Sequence, residues 1–337
     1  MTLSAADKKS IESSPPTNQA AMLEFRTFCN SDPPLLAEIW RSRGSIRGIP
    51  CKITPELLEQ FVFSRPYFDY EGLILAFEGG RPVGFAHAGF GPNRTHDAIS
   101  TELGTTCLIM VRPDCNETKV AAELLSKSEE YLASRGTKVI YGGAISPLNA
   151  FYLGLYGGSE LPGVLQSDAV SRNVYNAAGY KEIDRAIIFK ADVHSFRAPM
   201  TRQLMQIRRR MLVNIEADFA TNNWWEACTL GNFELTRYSL HARTGSSIVA
   251  HATLRNMNPT AITGSGGNVG LIDLHVDSRH RRQGVVSFLL SEIFHQLARQ
   301  GVSAVEVQTM RDNAAAVGLY RKLGFQEIDQ GIVFRKQ

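Results

Sequence analysis

Apolar residues recur along this chain with two spacings, and the switch between them marks its elements. In the C-terminal part, Leu271, Ile272, Leu274 and Val276 set out a strand, with Asp273 and His275 alternating onto its other face. From Val286 the spacing becomes three and four, through Leu289, Leu290, Ile293, Phe294 and Leu297. This predicts an amphipathic helix stopped by Gly301. Residues 304–309 read as the next strand. A short helix follows, with Asn313 as its N-cap and Gly324 just past its C-terminus. The order suits a βαβ unit.

The same pattern occurs earlier in the chain. Residues 107–114 have the shape of 272–277, and Val120, Leu124, Leu125 and Tyr131 mark a helix running to Gly136. A strand follows at 138–141, and 174–180 parallels 319–325, with glycine four positions after tyrosine in both. Upstream, two apolar runs flank Gly79-Gly80-Arg81 as a hairpin, matched by the runs 235–242 and 248–254 around Thr244-Gly245. The repeat is therefore a whole domain. The expected division is a loose tail at 1–20, a first domain at 21–193, a linker at 194–201 and a second domain at 202–337. The first copy carries an insertion, Gly154 to Gly163, read either as a surface connection or as a loop lining a substrate cleft.

Composition narrows the class. A length of 337 residues holds two domains, and 44% hydrophobic with 20% charged residues is globular. The net charge of +3 is too small to argue for nucleic acid, and Arg208-Arg209-Arg210 reads as the charged face of a helix. Five cysteines, an odd number with no Cys-x-x-Cys pair, suit a reducing cytoplasm. No run of 18 apolar residues predicts a membrane span, and residues 1–18 do not read as a signal peptide. His275 and His280 have no third ligand nearby, so no metal is expected. Trp224, Trp225 and Tyr238 are either acceptor-pocket walls or core.

The chemistry concentrates at the turn between strand and helix. Arg279, Arg281 and Arg282 lead into Gly284 at the mouth of the apolar helix. A helix N-terminus presents unpaired N–H groups and a positive dipole end, and glycine lets an anion approach them. The turn is neither a Walker loop nor a three-glycine dinucleotide turn. The run at 264–267 precedes the strand and reads as a hairpin connection.

Arg281-Arg282-Gln283-Gly284-Val285-Val286 resembles the acyl-CoA loop of the GNAT acetyltransferase superfamily, Arg/Gln-x-x-Gly-x-Gly/Ala, with valine at the last position. The segment 313–325 resembles that family's closing motif, Asn-x-x-Ala-x-x-Leu-Tyr-x-x-x-Gly-Phe. The resemblance implies an α/β (α+β) fold of two tandem GNAT-like domains, each a mixed, mostly antiparallel twisted sheet flanked by helices. The first is degenerate and the second catalytic; in architecture the pair is similar to mycothiol synthase. It further implies that the N–H groups from Arg282 to Ser287, through Gln283, Gly284, Val285 and Val286, hold the pyrophosphate of acetyl-CoA, with Arg281 and Arg282 adding charge. Leu274, His275 and Val276 would pair with the pantetheine arm, and Asn313 joins the cofactor-binding positions. Tyr320 would protonate the departing thiolate.

Where the family often places a carboxylate, eleven positions before Arg281, this chain has Gly270. Asp273 on the same strand, or a water relay, is then the base. The expected activity is direct acetyl transfer from acetyl-CoA to a primary amine of a small molecule or peptide, with no nucleic-acid or membrane partner. The alternative is a non-catalytic acyl-CoA-binding protein. Acceptor and oligomeric state are left open. In the first copy, aligning Val111 with Val276 places Lys119 at Gly284, which argues against CoA binding there.

Overall fold

The computed structural model describes residues 22–44, 47, 53–197, 201–217, 219–244, 247–257 and 267–337. The expected tail, the glycines at 264–266, residues 198–200 of the linker and Gly245 lie outside the described residues.

The first half runs β1 (Leu23–Thr27), α1 (Pro33–Ser42), α2 (Pro55–Leu58), β2 (Leu73–Glu78), β3 (Arg81–Pro92), β4 (Ile99–Val111), α3 (Glu117–Ser134), β5 (Val139–Gly142), β6 (Val164–Leu165), α4 (Ala169–Ala177) and β7 (Lys181–Asp192). The second runs α5 (Arg202–Arg210), β8 (Met211–Ala217), α6 (Trp224–Leu230), β9 (Leu235–Ala242), β10 (Ile248–Asn256), β11 (Asn268–Val276), α7 (Val285–Arg299), β12 (Ala304–Met310), α8 (Ala314–Lys322) and β13 (Gln326–Lys336). The two-residue turn joining β2 to β3 works because Gly79 and Gly80 both take left-handed φ, 57° and 78°, which such hairpins require.

Both halves contribute to one mixed, mostly antiparallel sheet, ordered β1-β2-β3-β4-β5-β13-β7-β12-β11-β10-β9-β8. Read from either end, the order is the same domain twice, with the closing strands exchanged. β7 of the first half pairs with β12 of the second, from Asp192↔Ala304 to Ala186↔Met310. β13 of the second pairs with β5 of the first and with β7. Each half thus covers the other's sheet edge, which would otherwise present unpaired backbone groups.

Behind the second half's sheet, α7 buries Leu289, Ile293 and Phe294 against Leu240, Leu254 and Val307. The first half's core, around Trp40, Phe61 and Phe85, also takes in Trp225 of α6. α5 lies on α7, with Ile207 buried and Arg208 paired to Glu292. Among the described residues no helix is long and apolar enough to cross a membrane.

Candidate active site

The arginine turn is held by its own side chains. Asp277 accepts from the Arg279 backbone N–H at 2.9 Å and from its guanidinium at 3.0 and 2.8 Å. Those bonds hold the Asp277 carboxyl well below its usual range. Arg279 is therefore occupied, while Arg281 and Arg282 stay exposed, Arg281 reaching the Val276 carbonyl at 3.4 Å. Arg282 is left-handed at φ 60°, a cost of roughly 1–2 kcal/mol for a residue with a Cβ. Gly284, at φ 75°, is the N-cap of α7 and supplies no side-chain cap. By contrast, Asn116, Asp168, Thr201, Asn223 and Asn313 all cap their helices. The first-turn N–H groups of Val285, Val286 and Ser287 thus have no side-chain cap.

Beside that helix start the sheet opens. β11 and β12 pair in parallel only from Asn268↔Ala304 to Leu271↔Val307, although both strands continue. Thr253 of β10 faces Asp273 and Leu254 faces Leu271, so Ile272 is a one-residue bulge. The bulge turns both Leu271 and Leu274 toward the α7 core and leaves Asp273 and His275 on the opposite face. Simple alternation had already put Asp273 there; the structure adds its partner. Asp273 Oδ2 lies 2.8 Å from His251 Nε2, and the His275 ring stacks on His251 at 5.4 Å.

Tyr320 packs its ring between Phe325 at 5.3 Å and Phe189 at 5.8 Å, the latter from the first half's closing strand. Burial, reinforced by the charges of Glu160 and Asp273, raises its pKa well above the ordinary value, so the phenol is protonated at every working pH. Asn313 Oδ1 accepts from the Ala316 N–H at 3.2 Å, as an N-cap should. Trp225 and Tyr238 are buried in the two cores, the core reading of both, and Trp224 packs partly exposed on the first.

What lies across the open end is not legible in the residue pattern. Arg255, Gly270 and Glu306 stand in one row over β10, β11 and β12. The first half's insertion is laid on this row. Arg255 donates to the carbonyls of Gly158 at 2.5 Å and Ser159 at 2.9 Å, and Glu306 accepts from the Ser159 N–H at 2.9 Å. Gln308 donates to the Leu161 carbonyl at 3.2 Å. A Cβ on Gly270 would lie 2.7 Å from Ser159 Cα, so the glycine is the notch that admits the loop. The insertion is a cleft wall, one of the two readings its composition allowed. The clues were a buried arginine and glutamate within apolar strands, but which backbone they hold is a tertiary fact.

Glu160 follows in that loop, and burial pushes its carboxyl up to about 7 against Arg255, which pulls the other way. Its folded pKa exceeds the ordinary 4.5, so the cost of ionising it is absent below pH 4.5, grows between 4.5 and 7, and is complete above 7. Glu160→Gln should therefore stabilise the chain at pH 8 by about 3 kcal/mol and leave pH 4 unchanged. Parallel urea titrations at the two pH values check this, and an equal effect at both would refute it. A cavity of about 520 Å³ opens here, lined by Gln308, Met310 and Asn313 from one half and by Tyr141, Leu148 and Glu160 from the other.

The first half has a matching opening. β4 and β5 pair only from Leu103↔Val139 to Thr106↔Gly142, beside a cavity of about 500 Å³. Its anion end differs. α3 starts at Glu117 with Asn116 as its N-cap, so Asn116, not Lys119, is the structural counterpart of Gly284, and the turn is three residues shorter. Asn116 accepts from the Lys119 N–H, and Glu117 pairs with Arg43, which also donates to the Val111 carbonyl at 3.0 Å. The first turn of α3 thus carries a carboxylate, and that of α7 carries none.

The chain matches the acetyltransferase (GNAT) family profile twice, over residues 39–156 and 201–325. It is 37% identical over 57 residues to the [ribosomal protein bS18]-alanine N-acetyltransferase of Escherichia coli strain K12, a stretch covering 17% of this chain and 38% of that enzyme. Among solved structures it is similar to a tandem GNAT protein from the clavulanic acid biosynthesis pathway, at 13% identity and TM-score 0.66, over 94% of this chain and 98% of that one. It is also similar to a GCN5-related N-acetyltransferase from Sphaerobacter thermophilus, at 14% identity and TM-score 0.62, over 93% and 95%. At such identities the likeness is one of fold.

Proposed function

Because the chain belongs to the acetyltransferase (GNAT) family as two tandem copies, we propose that its second half transfers an acetyl group from acetyl-CoA directly to a primary amine. The observation that carries this reading is the parting of β11 from β12 beside an uncapped α7. Three donor groups meet an anion there, and an unpaired strand edge leads away from them toward Tyr320.

The pyrophosphate is held by the N–H groups of Val285, Val286 and Ser287, with charge from Arg281 and Arg282. The pantetheine amides add to the free edge of β11 at Leu274–Val276 as an extra strand would. The amine nitrogen attacks the thioester carbon, and a β11 N–H faces the oxygen on which charge develops. As the C–S bond breaks, Tyr320 donates to the sulfur. Its raised pKa makes this uphill in water, but a thiolate stripped of water becomes a stronger base too, which narrows the gap.

The first half keeps the sheet and the core but not the anion site. Calorimetry should therefore give one acetyl-CoA per chain; a second site of comparable affinity would refute the assignment of Glu117 as its block. The reaction is tested by incubating the chain with acetyl-CoA and glucosamine, spermidine, kanamycin, lysine or an alanyl peptide. The alanyl peptide is included because the matched relative is an alanine N-acetyltransferase. An added acetyl mass on any amine is the expected result. Tight acetyl-CoA binding with no product across the panel would refute the transferase reading and leave a binding protein.

A further inference from the structure

We propose that Glu160, supplied by the first half's insertion, is the general base of the second half's acyl transfer. The inference rests on the transferase reading above. The second half's carboxylate in the row where β11 and β12 part, Glu306, is already taken by the Ser159 N–H and by Arg47, and β11 itself brings only Gly270 to that row. Into the space a side chain at 270 would fill comes Ser159. The next residue is Glu160, so the missing carboxylate arrives from the other copy.

Three second-half side chains fix that delivery. Arg255, Glu306 and Gln308 take backbone groups of Gly158, Ser159 and Leu161, the residues around Glu160, and no described residue hydrogen-bonds the Glu160 carboxylate itself. Side chains spent on backbone, two of them buried, with the carboxylate left over, mark a loop held for its one free group. Glu160 lines the 520 Å³ cavity, and its charge acts on both Asp273 and Tyr320. Glu160 and Tyr320, from two halves of the chain, thus lie close enough to feel each other's charge. Burial also places the carboxyl near 7, where it is ionised often enough to accept a proton and basic enough to take one.

The proton balance closes. An amine arrives as an ammonium and gives one proton to the Glu160 carboxylate, which returns it to water. The neutral nitrogen forms the C–N bond. As the C–S bond breaks, sulfur takes a proton from Tyr320, and the second proton shed by nitrogen restores the phenol.

The competing base is the His251–Asp273 pair. With acetyl-CoA and an amine of the panel that turns over, kcat/KM of the full-length chain should rise with pH through a limb near 7. Glu160→Gln should lower kcat on the order of 10²-fold and erase that limb, while the calorimetric acetyl-CoA affinity stays within twofold. Gly270→Ala, which pushes Ser159 away, should lower kcat in the same direction. Retention of the limb in Glu160→Gln, or its loss in His251→Gln alone, would overturn the inference and leave the transferase reading intact. Absence of wild-type turnover would instead sink both.

Discussion

Replacing Gly284 with aspartate should lower acetyl-CoA affinity on the order of 10³-fold. Two effects act together. A new carboxylate would cap the N–H groups of Val285 to Ser287 itself, since aspartate is among the best N-caps. It would also stand against the pyrophosphate, and two like charges about 4 Å apart near a protein surface repel by about 4 kcal/mol. The nearest atom to a Cβ at 284 is in Gln203 at 3.4 Å, an ordinary contact, so the variant meets backbone strain at φ 75° but no clash. Gly284→Ala separates the terms, carrying the strain of roughly 1–2 kcal/mol without the charge. Its affinity should fall much less than that of the aspartate variant. Calorimetry reads both, and wild-type affinity in the aspartate variant would remove the anion site from α7.

Tyr320→Phe should lower kcat by roughly 10²–10⁴-fold with little change in acetyl-CoA affinity. The ring is what packs against Phe189 and Phe325, and phenylalanine keeps that packing. Only the hydroxyl is lost, and it acts as the thiolate forms, so the defect belongs to the transition state. The phenol is already neutral at every working pH, so the variant should leave the rising limb of the pH profile in place. Wild-type kcat in the phenylalanine variant would mean that water protonates the thiolate and that Tyr320 only fills the core.

Much of this was legible in one dimension because it is local. Strand and helix periods, the caps Asn313 and Gly324, and the Gly79-Gly80 turn each depend on residues a few positions apart, and the structure has them where the pattern put them. The aligned register of the first copy failed at Lys119 because a three-residue shortening of a turn leaves both flanking periods intact. Only the observed start of α3 places Asn116 at the cap. The bulge at Ile272 was equally hidden, since one extra residue in a strand alters pairing without altering composition.

By itself the sequence determined two copies of one fold, an arginine-rich turn ending in glycine before the helix of the second, and a tyrosine in its closing helix, all carried by short spacings. Only the tertiary structure decided that the closing strands are exchanged and that the vacancy at Gly270 is filled from residues 158–160. Both join positions more than a hundred residues apart. Such pairings are settled by which buried polar group finds which distant partner. Arg255 and Glu306 show only that partners must exist. Folding alone chooses the backbone of the other half.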